Sequence, residues 1–109
     1  MDIRLKTFPL EFRGKTYSLC VNNNVLADVQ EENGGKILNA LDGRHGLKST
    51  LQFLAAMIND AADAVGDPLI VTPRELGREF SFAEIKELGA KISPLITAAI
   101  VTEEDPEKK

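Results

Sequence analysis

The residue types that most often perform catalysis or bind metals are scarce in this 109-residue chain. His45 is the only histidine, and it lies in a glycine-containing loop with no nucleophile or further metal ligand placed beside it. Cys20 is the only cysteine, and its alternation with Leu19 and Val21 places it on the opposite face of a predicted strand. No basic residue is positioned to lower the pKa of this thiol, so we expect a structural cysteine.

Two pairs of carboxylates, Asp60 with Asp63 and Glu84 with Glu87, are each three residues apart. Such pairs can share acid–base catalysis where burial pushes their pKa values apart. Here each pair falls on the polar side of a predicted helix whose opposite side carries the apolar residues. We therefore expect these carboxylates to be solvated.

The sequence Gly34-Gly35-Lys36 resembles part of a phosphate-binding loop. That motif needs an earlier glycine, a preceding strand and a Ser or Thr after the lysine. In this chain a predicted helix precedes the glycines and Ile37 follows the lysine, so the glycines indicate the end of a helix. The chain is therefore predicted not to be an enzyme and to use no cofactor and no metal.

Charge and hydropathy further restrict the functions and locations that are expected for the chain. A net charge of −4 argues against general affinity for nucleic acid, and the only basic cluster lies near the N-terminus, at Arg4, Lys6, Arg13 and Lys15. No apolar run approaches the roughly 20 residues of a membrane-spanning helix. The opening sequence MDIRLKTF lacks the apolar segment of a signal peptide, which favours a cytoplasmic location.

The first elements are predicted to be two strands, over residues 3–12 and 15–22, joined at Arg13-Gly14. A two-residue loop sets Leu10 opposite Tyr17 and Phe8 opposite Leu19. One face of this hairpin is then apolar and needs cover from helices: Phe8, Leu10, Phe12, Tyr17, Leu19 and Val21. The other face is polar: Glu11, Thr16 and Ser18.

The central element is a predicted helix over residues 49–65, with Ser49 as N-cap and Gly66 just after its end. Its apolar stripe is Leu51, Leu54, Ala55, Ile58, Ala61, Ala62 and Val65, widened by Phe53 and Met57. We expect Gln52, Asn59 and Asp63 to face water. This pattern is typical of a core helix.

Shorter helices are predicted over residues 25–33 and 36–42. A capping box from Thr72 to Glu75 begins another helix, and a second box from Ser81 to Glu84 begins the last one. The connector residues Leu69, Ile70 and Val71 are expected in the core. The predicted fold class is α+β and mostly α, an N-terminal β-hairpin packed on about four helices. It forms a single domain over residues 1–102, followed by a disordered charged tail over residues 103–109.

The last helix carries more apolar surface than one core-facing stripe requires. It begins with Phe82, Ile85 and Leu88, and over residues 92–101 only Ser93 and Thr97 are mildly polar. A helix that is apolar nearly all round is either buried on several sides or covered by a partner. The candidate partner-binding residues are Ile92, Leu95, Ile96, Ala99 and Ile100.

In this order of elements the chain resembles the small tail assembly chaperones of long-tailed bacteriophages and prophages. Their hairpin carries a phrase of the form xxGKxYxLxV, which here is FRGKTYSLCV over residues 12–21. A short helix ending in glycine follows at residues 25–35, then a Leu/Ala-rich helix at residues 51–65, a further helical pair and a charged end. The likeness covers most of the chain.

The resemblance implies a non-enzymatic, oligomeric helper in the cytoplasm of the bacterial host. It would bind the tape measure protein and recruit tail tube subunits to it by protein–protein contact. Two alternatives remain open. One is a small regulatory protein of a mobile element, nucleic-acid-binding or antitoxin-like, which would use the basic cluster. The other is a minor structural tail-completion protein.

Overall fold

A computed structural model describes residues 6–36 and 46–108 of the chain, with side chains described up to residue 100. The elements in this part are strands β1 (Phe8–Phe12) and β2 (Lys15–Leu19), then helices α1 (Asn23–Glu32), α2 (Gly46–Ala64), α3 (Pro73–Glu79) and α4 (Phe82–Lys108). The predicted fold class, α+β and mostly α with an N-terminal hairpin, is confirmed. The helix predicted over residues 36–42 falls almost wholly outside the described residues, as does His45.

The hairpin has the predicted register. Phe8 pairs with Leu19 and Leu10 with Tyr17 in a two-stranded antiparallel sheet. The turn residues Arg13 and Gly14 both have positive φ, +51° and +83°, as the tight hairpin turn that matches strand twist requires. The apolar face packs against helices as predicted, while the polar face is exposed.

Strand β2 ends at Leu19, earlier than predicted, because the chain turns over residues 20–22 into α1, which begins at Asn23. The side chain of Asn22 caps α1 by accepting a hydrogen bond from the backbone N–H of Val25 at 3.0 Å. Asn22 therefore belongs to the start of α1 and does not extend strand β2. Of the part of β1 predicted before Phe8, residues 3–5 lie outside the described part.

Helix α2 begins three residues before the predicted N-cap, so the prediction for Ser49 is wrong. Ser49 is buried within the helix. The Thr50 hydroxyl donates a hydrogen bond to the Gly46 carbonyl at 2.9 Å, which spans the extra turn. Thr50 also lies against Gly89 of α4, where a β-carbon on the glycine would stand 3.4 Å from the threonine hydroxyl.

The middle of α2 has no solvent face. Residues 52–58 are all buried, because α1, α3, α4 and β2 each pack against this helix. The prediction that Gln52 faces water is therefore wrong, and Gln52 instead accepts a hydrogen bond from the Asn33 amide at 2.9 Å. Val65, predicted in the core, is 74% exposed because α2 ends at Ala64.

The connector after α2 is held by Asn59, which was expected to face water. Its side-chain amide donates to the Val71 carbonyl at 2.9 Å and accepts from the Val71 N–H at 2.7 Å. Val71 is buried and Leu69 half-buried, but Ile70 between them is 78% exposed, against prediction. In an extended segment, alternate side chains point to opposite sides, so only two of the three can enter the core.

Both predicted capping boxes are present, at Thr72 with Glu75 and at Ser81 with Glu84. On α4 the buried residues are Ile85, Leu88 and Ile92, whereas Phe82 is 65% exposed rather than part of the core stripe. Phe82 is the first residue of the helix, one turn before the packed face begins. Helix α4 is assigned through Lys108, across the segment predicted as a tail, and the division of the chain at residue 102 stays a prediction.

Replacing the fully buried Leu54 tests the central position of α2. Leu54→Ala should lower the free energy of unfolding by about 2–5 kcal/mol, because it leaves a cavity among four packed elements. The matched control is Asp63→Ala on the exposed side of the same helix, which should stay within about 0.5 kcal/mol. Urea unfolding followed by circular dichroism measures both, and equal effects would contradict this account of α2.

Asn59→Ala tests the connector. The loss of both hydrogen bonds leaves the Val71 backbone groups without partners and should cost about 1–3 kcal/mol of unfolding free energy. Gln30→Ala removes a single exposed bond to the Gly35 carbonyl and should cost less than about 0.5 kcal/mol. Thermal unfolding of the two variants compares them, and a silent Asn59→Ala would show that the amide does not hold the connector.

Candidate protein-interaction surface

The five candidate partner-binding residues on α4 divide into two groups. Ile92 is 2% exposed and belongs to the core. The other four are half-buried and follow it along the helix: Leu95, Ile96, Ala99 and Ile100. The available part of the predicted surface therefore begins one turn after the last fully buried residue of α4.

The spacing of these four residues places them on one side of the helix. At 3.6 residues per turn each residue is rotated about 100° from the one before, so the four occupy an arc of about 140°. Leu95, Ile96 and Ala99 touch the edge of the core, so each leaves only part of its side chain accessible. Thr97 and Ala98, which lie just beyond the two edges of this arc, are exposed. We call the four half-buried residues the α4 face.

The basic residues of the hairpin are largely engaged by carboxylates of the same chain. Arg13 forms a two-point ion pair with Glu79 at the end of α3, and its guanidinium also lies 4.7 Å from the centre of the Phe12 ring. Phe12 in turn stacks on Phe80, with ring centres 6.0 Å apart. The tip of the hairpin is thereby held to the end of α3, and the hydrogen bond from Arg13 lowers the pKa of Glu79.

A second carboxylate, Asp67, holds strand β2 to the connector after α2. It accepts hydrogen bonds from the Lys15 ammonium at 2.6 Å, the Tyr17 hydroxyl at 3.1 Å and the Leu69 N–H at 3.0 Å. The bond from Lys15, and next the one from Leu69, lowers the pKa of Asp67 below its ordinary value. Of the predicted basic cluster, Lys6 is exposed and Arg4 lies outside the described residues.

Of the other residues considered for chemistry, Asp60 and Cys20 are half-buried. The remaining carboxylates of the two pairs are exposed, as predicted: Asp63, Glu84 and Glu87. Asp60 accepts hydrogen bonds from the side chains of Asn22 at 2.7 Å and Asn24 at 3.1 Å, which fix the start of α1 to α2. Burial raises the pKa of the half-buried Cys20 thiol, as expected for a structural cysteine. Within residues 6–36 and 46–108, no group of His, Cys, Asp and Glu has a geometry that could hold a metal ion.

Two features around the connector after α2 were not predicted from the sequence. The polar links from Asp67 and Asn59 were not foreseen, because hydrogen bonds between residues far apart in the chain leave no periodic pattern. The exposure of Val65 and Ile70 was also missed, although the Gly66-Asp67-Pro68 break between them signals a chain reversal.

Comparison with protein-family models, with curated proteins and with solved structures finds no match. Among the described helices, none is both long and apolar enough to cross a membrane. What the protein does is therefore inferred from its own residues.

The hydrogen bonds to Asp67 predict that part of the protein's stability is lost in acid. A carboxylate whose pKa is lowered by folding stabilises the protein above its ordinary pKa of about 3.8, and this stabilisation is lost as the pH falls below that value. Asp67→Asn should therefore be less stable than the wild type at pH 7 and lose less stability between about pH 4 and pH 2. Thermal unfolding of the two proteins at each pH measures the difference, and parallel profiles would contradict it.

Proposed function

We propose that this protein is a phage or prophage tail assembly chaperone, which binds the tape measure protein and recruits tail tube subunits in the cytoplasm of the bacterial host. It acts by protein–protein contact and performs no catalysis. The observation that carries the proposal is the α4 face, an apolar surface on a helix that extends past the buried core. The resemblance of the hairpin phrase at residues 12–21 supplies the identity of the partners.

The chemistry of the α4 face suits a helical partner. Leu95, Ile96 and Ile100 offer aliphatic side chains at helical spacing, which can pack against the apolar seam of a second helix. A tape measure protein is a long helical chain whose apolar seams stay exposed until the tail tube encloses it. Contact between the α4 face and such a seam is favourable, because it removes apolar area of both proteins from water.

Protein contact is also favoured over nucleic-acid binding by the state of the basic residues. Arg13 and Lys15 already pair with Glu79 and Asp67, so their charges are largely neutralised within the chain. A nucleic-acid-binding surface needs several free cations to displace counterions from phosphates. The regulatory alternative predicts a gel shift at physiological salt. The pairing of Arg13 and Lys15 with carboxylates makes such binding less favourable.

Ile100→Asp tests the α4 face as the binding surface. A carboxylate placed in an apolar contact loses its hydration without gaining a partner, so binding to the tape measure protein should weaken by about 100-fold or more. Ala98→Asp is the control, since it adds the same charge at an exposed position nearly opposite Ile100 around the helix and should leave binding within about threefold. Co-purification of each variant with the coexpressed tape measure protein, followed by titration calorimetry, gives the comparison.

Circular dichroism of both variants shows whether the fold is kept. An Ile100→Asp protein that folds normally and still binds the tape measure protein would rule out the α4 face. A wild-type protein that binds no tape measure protein, but shifts DNA or RNA at physiological salt, would favour the regulatory alternative. Recovery of the protein from purified virions would instead favour a tail-completion protein.

A further inference from the structure

The two edges of the hairpin differ in their capacity to accept another strand. In a two-residue hairpin, the residues that flank the turn, Phe12 and Lys15, exchange hydrogen bonds, and every second pair after them does the same. The backbone groups of the intervening residues point outward. On β2 these are Thr16 and Ser18, and on β1 they are Glu11 and Pro9.

Pro9 has no N–H, so the outward edge of β1 offers an incomplete ladder. The edge of β2 is complete, since Thr16 and Ser18 each present one N–H and one C=O. In the described part of the chain, these backbone groups make no hydrogen bond to another element. Both residues are exposed, and neither carries a charge that would repel an added strand.

An apolar groove runs along this same edge. It has a volume of about 710 Å³ and lies between β2 and the end of α2. On the side of α2 its wall includes Ala61 and Ala64 and, just after the helix, Val65, which is 74% exposed. Lys15 and its ion-pair partner Asp67 lie at one end of the groove, and Cys20, Asn22 and Asp60 lie at the other.

We propose that this edge is a homodimer interface, in which β2 of two copies pairs antiparallel about a two-fold axis at Tyr17. The register then sets Thr16 of each copy opposite Ser18 of the other. The four outward N–H groups and four outward C=O groups of the two strands satisfy one another, and a four-stranded sheet results. Small hydroxyl side chains facing each other across strands form a favourable pair.

The β2 edge is compatible with a second copy of this chain as its occupant. Lys15 already pairs with Asp67 of its own chain, so it brings no unpaired charge to the contact. Lys15 stands opposite Leu19, so no like charges face each other across the new strand pair.

A matched pair of proline variants tests the edge. Thr16 and Glu11 face each other across the hairpin, and the N–H of each points away from the partner strand, so proline at either position breaks no bond within the hairpin. Thr16→Pro blocks the β2 edge and should raise the dimer dissociation constant by about 100-fold, whereas Glu11→Pro should leave it within about threefold. Sedimentation equilibrium between about 1 and 200 μM measures the constants.

Two double variants, a charge pair, test the register while leaving the backbone unchanged. T16K/S18K places like charges opposite each other at two points of the dimer and should weaken it by at least about tenfold, whereas T16K/S18E places opposite charges there and should retain it. Circular dichroism of every variant confirms folding. If Thr16→Pro does not fold, the charge pair decides the proposal alone.

A strictly monomeric wild type over this concentration range would overturn the proposal. So would a dimer that survives both Thr16→Pro and T16K/S18K, since it would use another surface. The inference uses only the strand edge and its groove and does not rest on the proposed function. Dimer formation and binding of the tape measure protein are measured separately, so either can fail without the other.

Discussion

The burial of α2 on all sides is the constraint on which the rest of the structure depends. A helix with one apolar stripe needs one neighbour, but residues 52–58 of α2 leave no side for water. The chain must therefore supply cover from four directions, with α1, α3, α4 and β2 each contributing an apolar face. Polar groups drawn into this packing must find partners inside it, as Gln52 does with Asn33 and Asn59 with Val71.

The surrounding elements are fixed to this helix by a few polar links as well as by apolar contact. Asp67 ties β2 to the connector, Asp60 ties the start of α1 to α2, and Arg13 ties the hairpin turn to α3. These links engage Arg13 and Lys15 of the basic cluster and Asp60 of one carboxylate pair. In the described part of the chain, the α4 face and the groove beside β2 are two partly apolar surfaces that stay accessible.

The sequence predicts local features of this fold well. The hairpin register, the turn at Arg13-Gly14 and both capping boxes follow from short-range chemistry and are confirmed. The errors occur where tertiary packing overrides a local signal, as at Ser49, Gln52 and Ile70. A helix that is wrapped on all sides cannot be recognised from its own amphipathic pattern, because the cover comes from elements far away in the chain. The candidate site was predicted as a band, but only the folded chain shows that Ile92 is buried and that Leu95 to Ile100 are partly accessible.

Hydrogen–deuterium exchange of the protein, alone and with a coexpressed tape measure protein, tests the central claim that the α4 face is where a helical partner binds. The account predicts that amides of residues 93–100 become markedly more protected in the complex, while those of residues 52–58 are already slow in the free protein and stay so. Protection confined to the hairpin or to α1, with no change over residues 93–100, would contradict it.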